Sequence, residues 1–166
     1  MYIDSHCHIN FPELKANIEK VISNMEEKKI TNALCVSVEL DSFPDVLAMA
    51  ESYDHIYASV GVHPDYEDIR EPSVDELVKI APDHQKVVAI GETGLDYFRL
   101  KGDLTWQRDR FRNHIRAANE AKLPLIIHTR QAQDDTIQIM TEEGANQTRG
   151  VMHCFTESYE MAKQAL

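Results

Sequence analysis

Apolar residues along the chain fall into short continuous runs, and these alternate with stretches of helical spacing. The runs are residues 2–8, 33–38, 56–62, 87–92, 124–128 and 150–154. Each has the length of a strand. After the first run, Pro12 opens a helix with Leu14, Ile18, Val21, Ile22 and Met25 on one face. A second helix starts near Ser42 and Pro44 and carries Val46, Leu47 and Ala50 inward. The capping box Ser73-Val74-Asp75-Glu76 opens a third, followed by Leu77, Val78 and Ile80. A loop from Thr93 to Gly102 leads into a fourth helix over about Leu104 to Lys122, with Phe111, Ile115 and Ala118 on its buried face. A fifth runs from about Asp134 to Gly144 and a sixth begins near Ser158. Most of the strand runs are continuous rather than alternating, the mark of parallel strands covered on both faces. The pattern is therefore a βα repeat, either a barrel or a doubly wound sheet. No glycine-rich phosphate loop follows the first strand, which counts against a dinucleotide-binding sheet. No linker or low-complexity segment divides residues 1–166, which read as a single domain.

Composition narrows the class. A hydrophobic content of 43% and a charged content of 27% are those of a soluble globular protein. No apolar stretch approaches the roughly 20 residues of a membrane span, and no secretory signal is visible at the N-terminus. Three cysteines without framework spacing suit reduced thiols and a cytoplasmic location. The net charge of −11 disfavours a broad basic face gripping nucleic acid. It leaves room for an enzyme that meets phosphate through bound cations, because local charge rules at such a site.

The polar exceptions in the apolar runs collect at their C-terminal ends. His6 and His8 end the first, His63 follows the third, Glu92 ends the fourth, and His128 and His153 lie at the ends of the fifth and sixth. Residues i and i+2 of a strand share a face, so His6 and His8 present two imidazoles side by side. In a βα barrel this rim is where active sites are built. Imidazole and carboxylate ligands suit zinc, manganese and similar ions, and Glu92 has two oxygens with which to bridge a metal pair. Arg130, on the face of His128, suits a substrate phosphate or a rim ion pair. His63 suits substrate contact or a supporting hydrogen bond. Asp96 suits orienting a ligand histidine or capping a turn. Tyr97 suits stacking on a base or packing. His55, His84 and His114 read as surface residues, and Cys7, Cys35 and Cys154 as core packing, out of phase with the candidate ligands.

The runs Asp4-Ser5-His6-Cys7-His8, Gly61-Val62-His63-Pro64, Gly91-Glu92-Thr93-Gly94-Leu95-Asp96-Tyr97, His128-Thr129-Arg130 and His153-Cys154-Phe155-Thr156 come in an order that strongly resembles the TatD family of metal-dependent deoxyribonucleases. The resemblance implies a TIM-type (β/α)8 barrel of the amidohydrolase-like superfamily, of which this chain supplies the first six βα units. It implies two divalent ions (Mg, Mn or Zn), with His6 and His8 on one, His128 and His153 on the other, and a bridging, catalytic Glu92. It implies DNA as substrate, single-stranded and shortened from its 3′ end, with no membrane and no obligate protein partner.

The family pattern continues past residue 166, with two further βα units and a late-strand aspartate completing the first metal site. Gln131 stands where the family commonly has an acidic residue. Six parallel strands cannot close an eight-stranded barrel. The first and sixth should therefore show open edges, and the domain is expected to be truncated at its C-terminus. Two other readings fit the residues: a hydrolase of another amidohydrolase class, and a metal-binding fragment that is catalytically incomplete.

Overall fold

The computed structural model describes the backbone of residues 1–166 and every side chain except those of residues 82 and 83. The strands β1 (Tyr2–Cys7), β2 (Ile30–Cys35), β3 (Ile56–Val60), β4 (Val87–Asp96), β5 (Leu125–Arg130) and β6 (Gly150–Met152) form one sheet in sequential order. Every pairing is parallel. A doubly wound sheet reverses its strand order at a switch point. This one does not, and it curls into an open part of a barrel. Helices α1 (Pro12–Lys15), α2 (Ile18–Glu27), α3 (Phe43–Ser52), α4 (Val74–Asp83), α5 (Thr105–Ala121), α6 (Gln133–Glu142) and α7 (Tyr159–Ala165) alternate with the strands. Among the described residues no helix is long and apolar enough to cross a membrane.

Burial follows strand alternation. Cys35, Ile90, Leu125 and Ile127 join the main core, which Phe111, Ile115 and Ala118 of α5 complete. Their neighbours Val36, Ala89 and Ile126 form a separate small cluster on the opposite face of the sheet. The edges are open: Tyr2 and Ile3 of β1 and Val151 of β6 are exposed.

Three elements differ from the sequence reading. The first helix is two, because Asn17 leaves helical geometry and its amide donates to Glu13 O. The expected loop after Glu92 is strand as far as Asp96, paired to β5 through Gly94↔His128 and Asp96↔Arg130. Gly94 permits this: it sits at φ +132° against the carbonyl of His128, where a Cβ would collide with backbone. Cys154 is exposed rather than core, since β6 stops at Met152 and strand phase no longer applies two residues later. Cys7 and Cys35 do pack against the core. The expected cap on the third helix is present, with Glu76 N–H donating to Ser73 Oγ at 3.1 Å.

His114 is the largest correction. It is fully buried in α5 rather than at the surface. Its Nδ1–H donates to Arg110 O at 2.8 Å, and its Nε2 accepts from Val62 N–H at 3.1 Å. Burial lowers its pKa from 6.5 to about 4.

Two outcomes follow. Gly94→Ala should lose about 3 kcal/mol of stability in urea unfolding, from backbone strain and collision together; an unchanged midpoint would contradict the close approach. His114 is neutral in both the folded and unfolded protein above pH 6.5. As pH falls from 6.5 towards 4 the unfolded state takes up the proton first, so the folded state loses ground. Between pH 7 and 4.5 the native protein should therefore lose about 2–3 kcal/mol more than His114→Gln. Parallel pH curves for the two proteins would contradict it.

Candidate metal centre

The centre is built around Glu92, which is 3% exposed. Backbone polar groups fix it. Glu92 N–H donates to Ser37 O at 2.9 Å. Ser59 Oγ–H donates to Gly91 O at 2.6 Å and accepts Ser37 N–H at 3.2 Å, while Ser37 Oγ–H donates to Gly61 O at 3.1 Å. Gly91, at φ +140°, lies so close to β5 that a Cβ would come within 2.6 Å of Ile126 O. These two buried serines were not singled out from sequence; a hydroxyl inside an otherwise apolar strand run, as at Ser59, was the available signal.

Imidazoles surround the carboxylate. His6, Glu92 and His153 bring one donor atom each within 4.8 Å of one another, and so do His63, Glu92 and His128. The resemblance pairs His153 with His128. In the structure the His153 ring instead stacks on His6, with centroids 3.5 Å apart and planes 8° off parallel. His8 stands edge-on to His6 at 5.1 Å and lies outside both groups. Its Nδ1–H donates to Val36 O at 3.0 Å, which leaves Nε2 free as a ligand atom.

A relay of hydrogen bonds assigns the other tautomers. Asp65 N–H donates to His63 Nδ1 at 3.2 Å, His63 Nε2–H to His128 Nδ1 at 3.2 Å, and His128 Nε2–H to Asp96 Oδ2 at 3.0 Å. The other Asp96 oxygen accepts Phe98 N–H and Arg99 N–H, both at 2.9 Å. Asp96 thus both orients a histidine and caps a turn. Tyr97 is turned away: its hydroxyl donates to Asp135 Oδ2 at 2.5 Å and accepts from Arg108, and it does not line the central cavity.

The donor set fits a cation on this structure's own terms. Both ring nitrogens of His6 are buried without a hydrogen-bond partner. Its Nε2 lies 3.2 Å from Glu92 Oε2 but at an angle that makes no hydrogen bond. His128 Nδ1 lies 3.3 Å from Glu92 Oε1. At His6, where no hydrogen bond is made, lone pairs facing one another at 3.2 Å need a proton or a metal ion between them, whereas His128 Nδ1 already accepts from His63 Nε2–H. Burial lowers the pKa of His8 and His153, and takes His63 to about 4. Neutral imidazole is the form that ligates. Burial acts to raise Glu92, but contacts with His128 and His6 outweigh it and hold its carboxyl well below the usual range. Burial also acts to lower His128, and there the carboxylates of Glu92 and Asp96 prevail and raise it.

A cavity of about 500 Å³ opens beside the cluster, lined by His8, His63, Glu92, His128 and Arg130 among others. Arg130 sits over Phe98, its guanidinium carbon 3.9 Å from the ring centroid. It pairs with no carboxylate among the described residues. Stacking holds the guanidinium ready for an anion.

A parallel βα sheet with imidazoles and one buried carboxylate gathered at its strand ends is an arrangement that could hold metal at the mouth of a βα barrel. The model of the family described as TatD related DNase matches residues 3–166, and the chain belongs to that family. It is 39% identical over its whole length to YabD of Bacillus subtilis, named as an uncharacterized metal-dependent hydrolase, and covers 65% of that protein. A Buchnera aphidicola protein named in the same way is 37% identical over 97% of the chain, which covers 62% of it. The chain thus spans a little under two thirds of the length of these curated relatives. Among solved structures, the TatD homologue YJJV of Escherichia coli superposes with a TM-score of 0.88 at 30% identity, over 99% of this chain and 64% of that one. A TatD family hydrolase of Entamoeba histolytica gives 0.83 at 27% identity, over 98% and 61%.

Proposed function

We propose that this chain carries the metal centre of a hydrolase that cleaves phosphodiester bonds of DNA. The observation that carries the reading is the buried carboxylate of Glu92, faced by unsatisfied or lone-pair-bearing nitrogens of His6 and His128. The name of the family supports DNA as the substrate.

On this reading His6, His8, Glu92, His128 and His153 would hold two divalent cations, with Glu92 shared between them. Such ions supply Lewis acidity toward phosphate oxygens and activation of water. The chain's own residues prepare the site. Val36 O fixes the His8 ring, and Asp96 fixes that of His128, so both imidazoles are set before substrate arrives. Arg130 offers a two-pronged N–H donor to a phosphate flanking the scissile one. His63, held by Asp65 N–H, lines the cavity, and its Nε2–H, given to His128 Nδ1 here, would be free to donate to a phosphate oxygen once His128 Nδ1 held a cation. Single-stranded DNA shortened from the 3′ end is the substrate form proposed.

The test is hydrolysis of a labelled single-stranded oligonucleotide with Mg²⁺ or Mn²⁺, with and without chelator. Stepwise loss from the 3′ end should occur, stop on chelation, and fall about a hundredfold or more in Glu92→Gln and His128→Ala. Cleavage that survives chelation, or turnover unchanged in both variants, would refute the assignment. Arg130→Ala should raise KM for the oligonucleotide about tenfold while leaving Mn²⁺ affinity unchanged; an unaltered KM would remove Arg130 from the substrate site.

A further inference from the structure

One face of α5 is polar where it should be apolar. Gln107, Arg110 and His114 are buried to within 1% of full burial, on the same helical stripe as Phe111 and Ile115. Burying an amide, a guanidinium and an imidazole is unfavourable unless each is hydrogen-bonded. Here each is: Arg110 pairs with the Glu71 carboxylate, and all three side chains bond backbone groups of the segment that follows β3. His114 accepts from Val62 N–H. Arg110 donates to His63 O at 3.0 Å and Tyr66 O at 2.8 Å. Gln107 Nε2–H donates to Pro64 O at 3.1 Å. That segment is neither strand nor helix, so its backbone groups must find partners elsewhere.

Gln107 goes further than the other two, because it also reaches β4. Its Oε1 accepts Asp96 N–H at 3.0 Å and its Nε2–H donates to Asp96 O at 3.3 Å. The amide has only one workable orientation, since a flip would set nitrogen against an N–H and oxygen against two carbonyls. One buried side chain therefore ties the residue next to His63 to the residue whose carboxylate holds His128.

We propose that Gln107 is a positioning residue that holds the His63 segment and the Asp96–His128 pair in register for metal binding. The link to metal rests on the proposed function above. The link to His128 does not, and the two are separable by experiment. Gln107→Met keeps the volume and removes every hydrogen bond. Gln107→Glu keeps the acceptor for Asp96 N–H, loses the donors, and serves if the methionine variant does not fold. Asn119→Ala is the control: it removes an amide from the same helix that donates to Glu143 O at 2.9 Å, away from the site.

The first readout is the His128 imidazole in metal-free protein, followed by nitrogen-15 NMR. The native protein should show one tautomer with a slowly exchanging Nε2–H. Both Gln107 variants should lose that protection, and the control should keep it. The second is Mn²⁺ titration, in which the Gln107 variants should bind about tenfold or more weakly than native and the control. An unchanged His128 signal in both Gln107 variants, or an equal effect of Asn119→Ala, would overturn the positioning role. A native protein that binds no Mn²⁺ would refute the metal reading, while the His128 signal still decides the role of Gln107.

Discussion

A carboxylate taken out of water must be met by positive charge, by donors or by metal, and Glu92 is almost wholly taken out of water. Much of the structure around it meets that demand. Imidazoles from β1 and β5, and from the segments after β3 and β6, converge on its two oxygens. Only a parallel, sequentially ordered sheet brings the C-terminal ends of so many strands to one mouth. The glycines before and after Glu92 let β4 approach β5 closely enough for His128 to reach it. The chemistry and the fold are thus one constraint seen at two scales.

Behind the candidate ligands stands a second set of polar groups that hold them in place. Ser59 of β3 ties Ser37, just past β2, to Gly91 of β4, the residue before Glu92. Asp96 ends β4 and holds the His128 ring. Gln107, Arg110 and His114 turn part of α5 into a template for the irregular segment that carries His63. Such buried polar contacts add little net stability when satisfied, and cost several times more when one partner is lost. They specify geometry more than they add stability, which is what a site of fixed ligand spacing requires.

The legibility of this arrangement varied with the contrast each residue made against its surroundings. A histidine or glutamate ending an apolar run stands out, so the residues at the mouth could be read from sequence. So could the parallel βα order, from the continuity of the runs. Gln107 and His114 were missed because polar residues on a helix are ordinarily solvated. Yet both fall on the stripe defined by Phe111, Ile115 and Ala118, and that coincidence was the available signal. The extension of β4 to Asp96 was missed because Gly94 reads as a strand breaker, whereas here it marks a close backbone approach. The stacking of His153 on His6 depends on side-chain rotation and has no counterpart in spacing along the chain.

The central proposal is that Glu92 would be shared between two divalent cations. Anomalous X-ray scattering from crystals of the Mn²⁺-loaded protein tests it most directly. The account predicts two anomalous peaks, both in contact with the Glu92 carboxylate, one beside His6 and the other beside His128. Peaks that do not touch Glu92, or a single ion bound without it, would contradict the account.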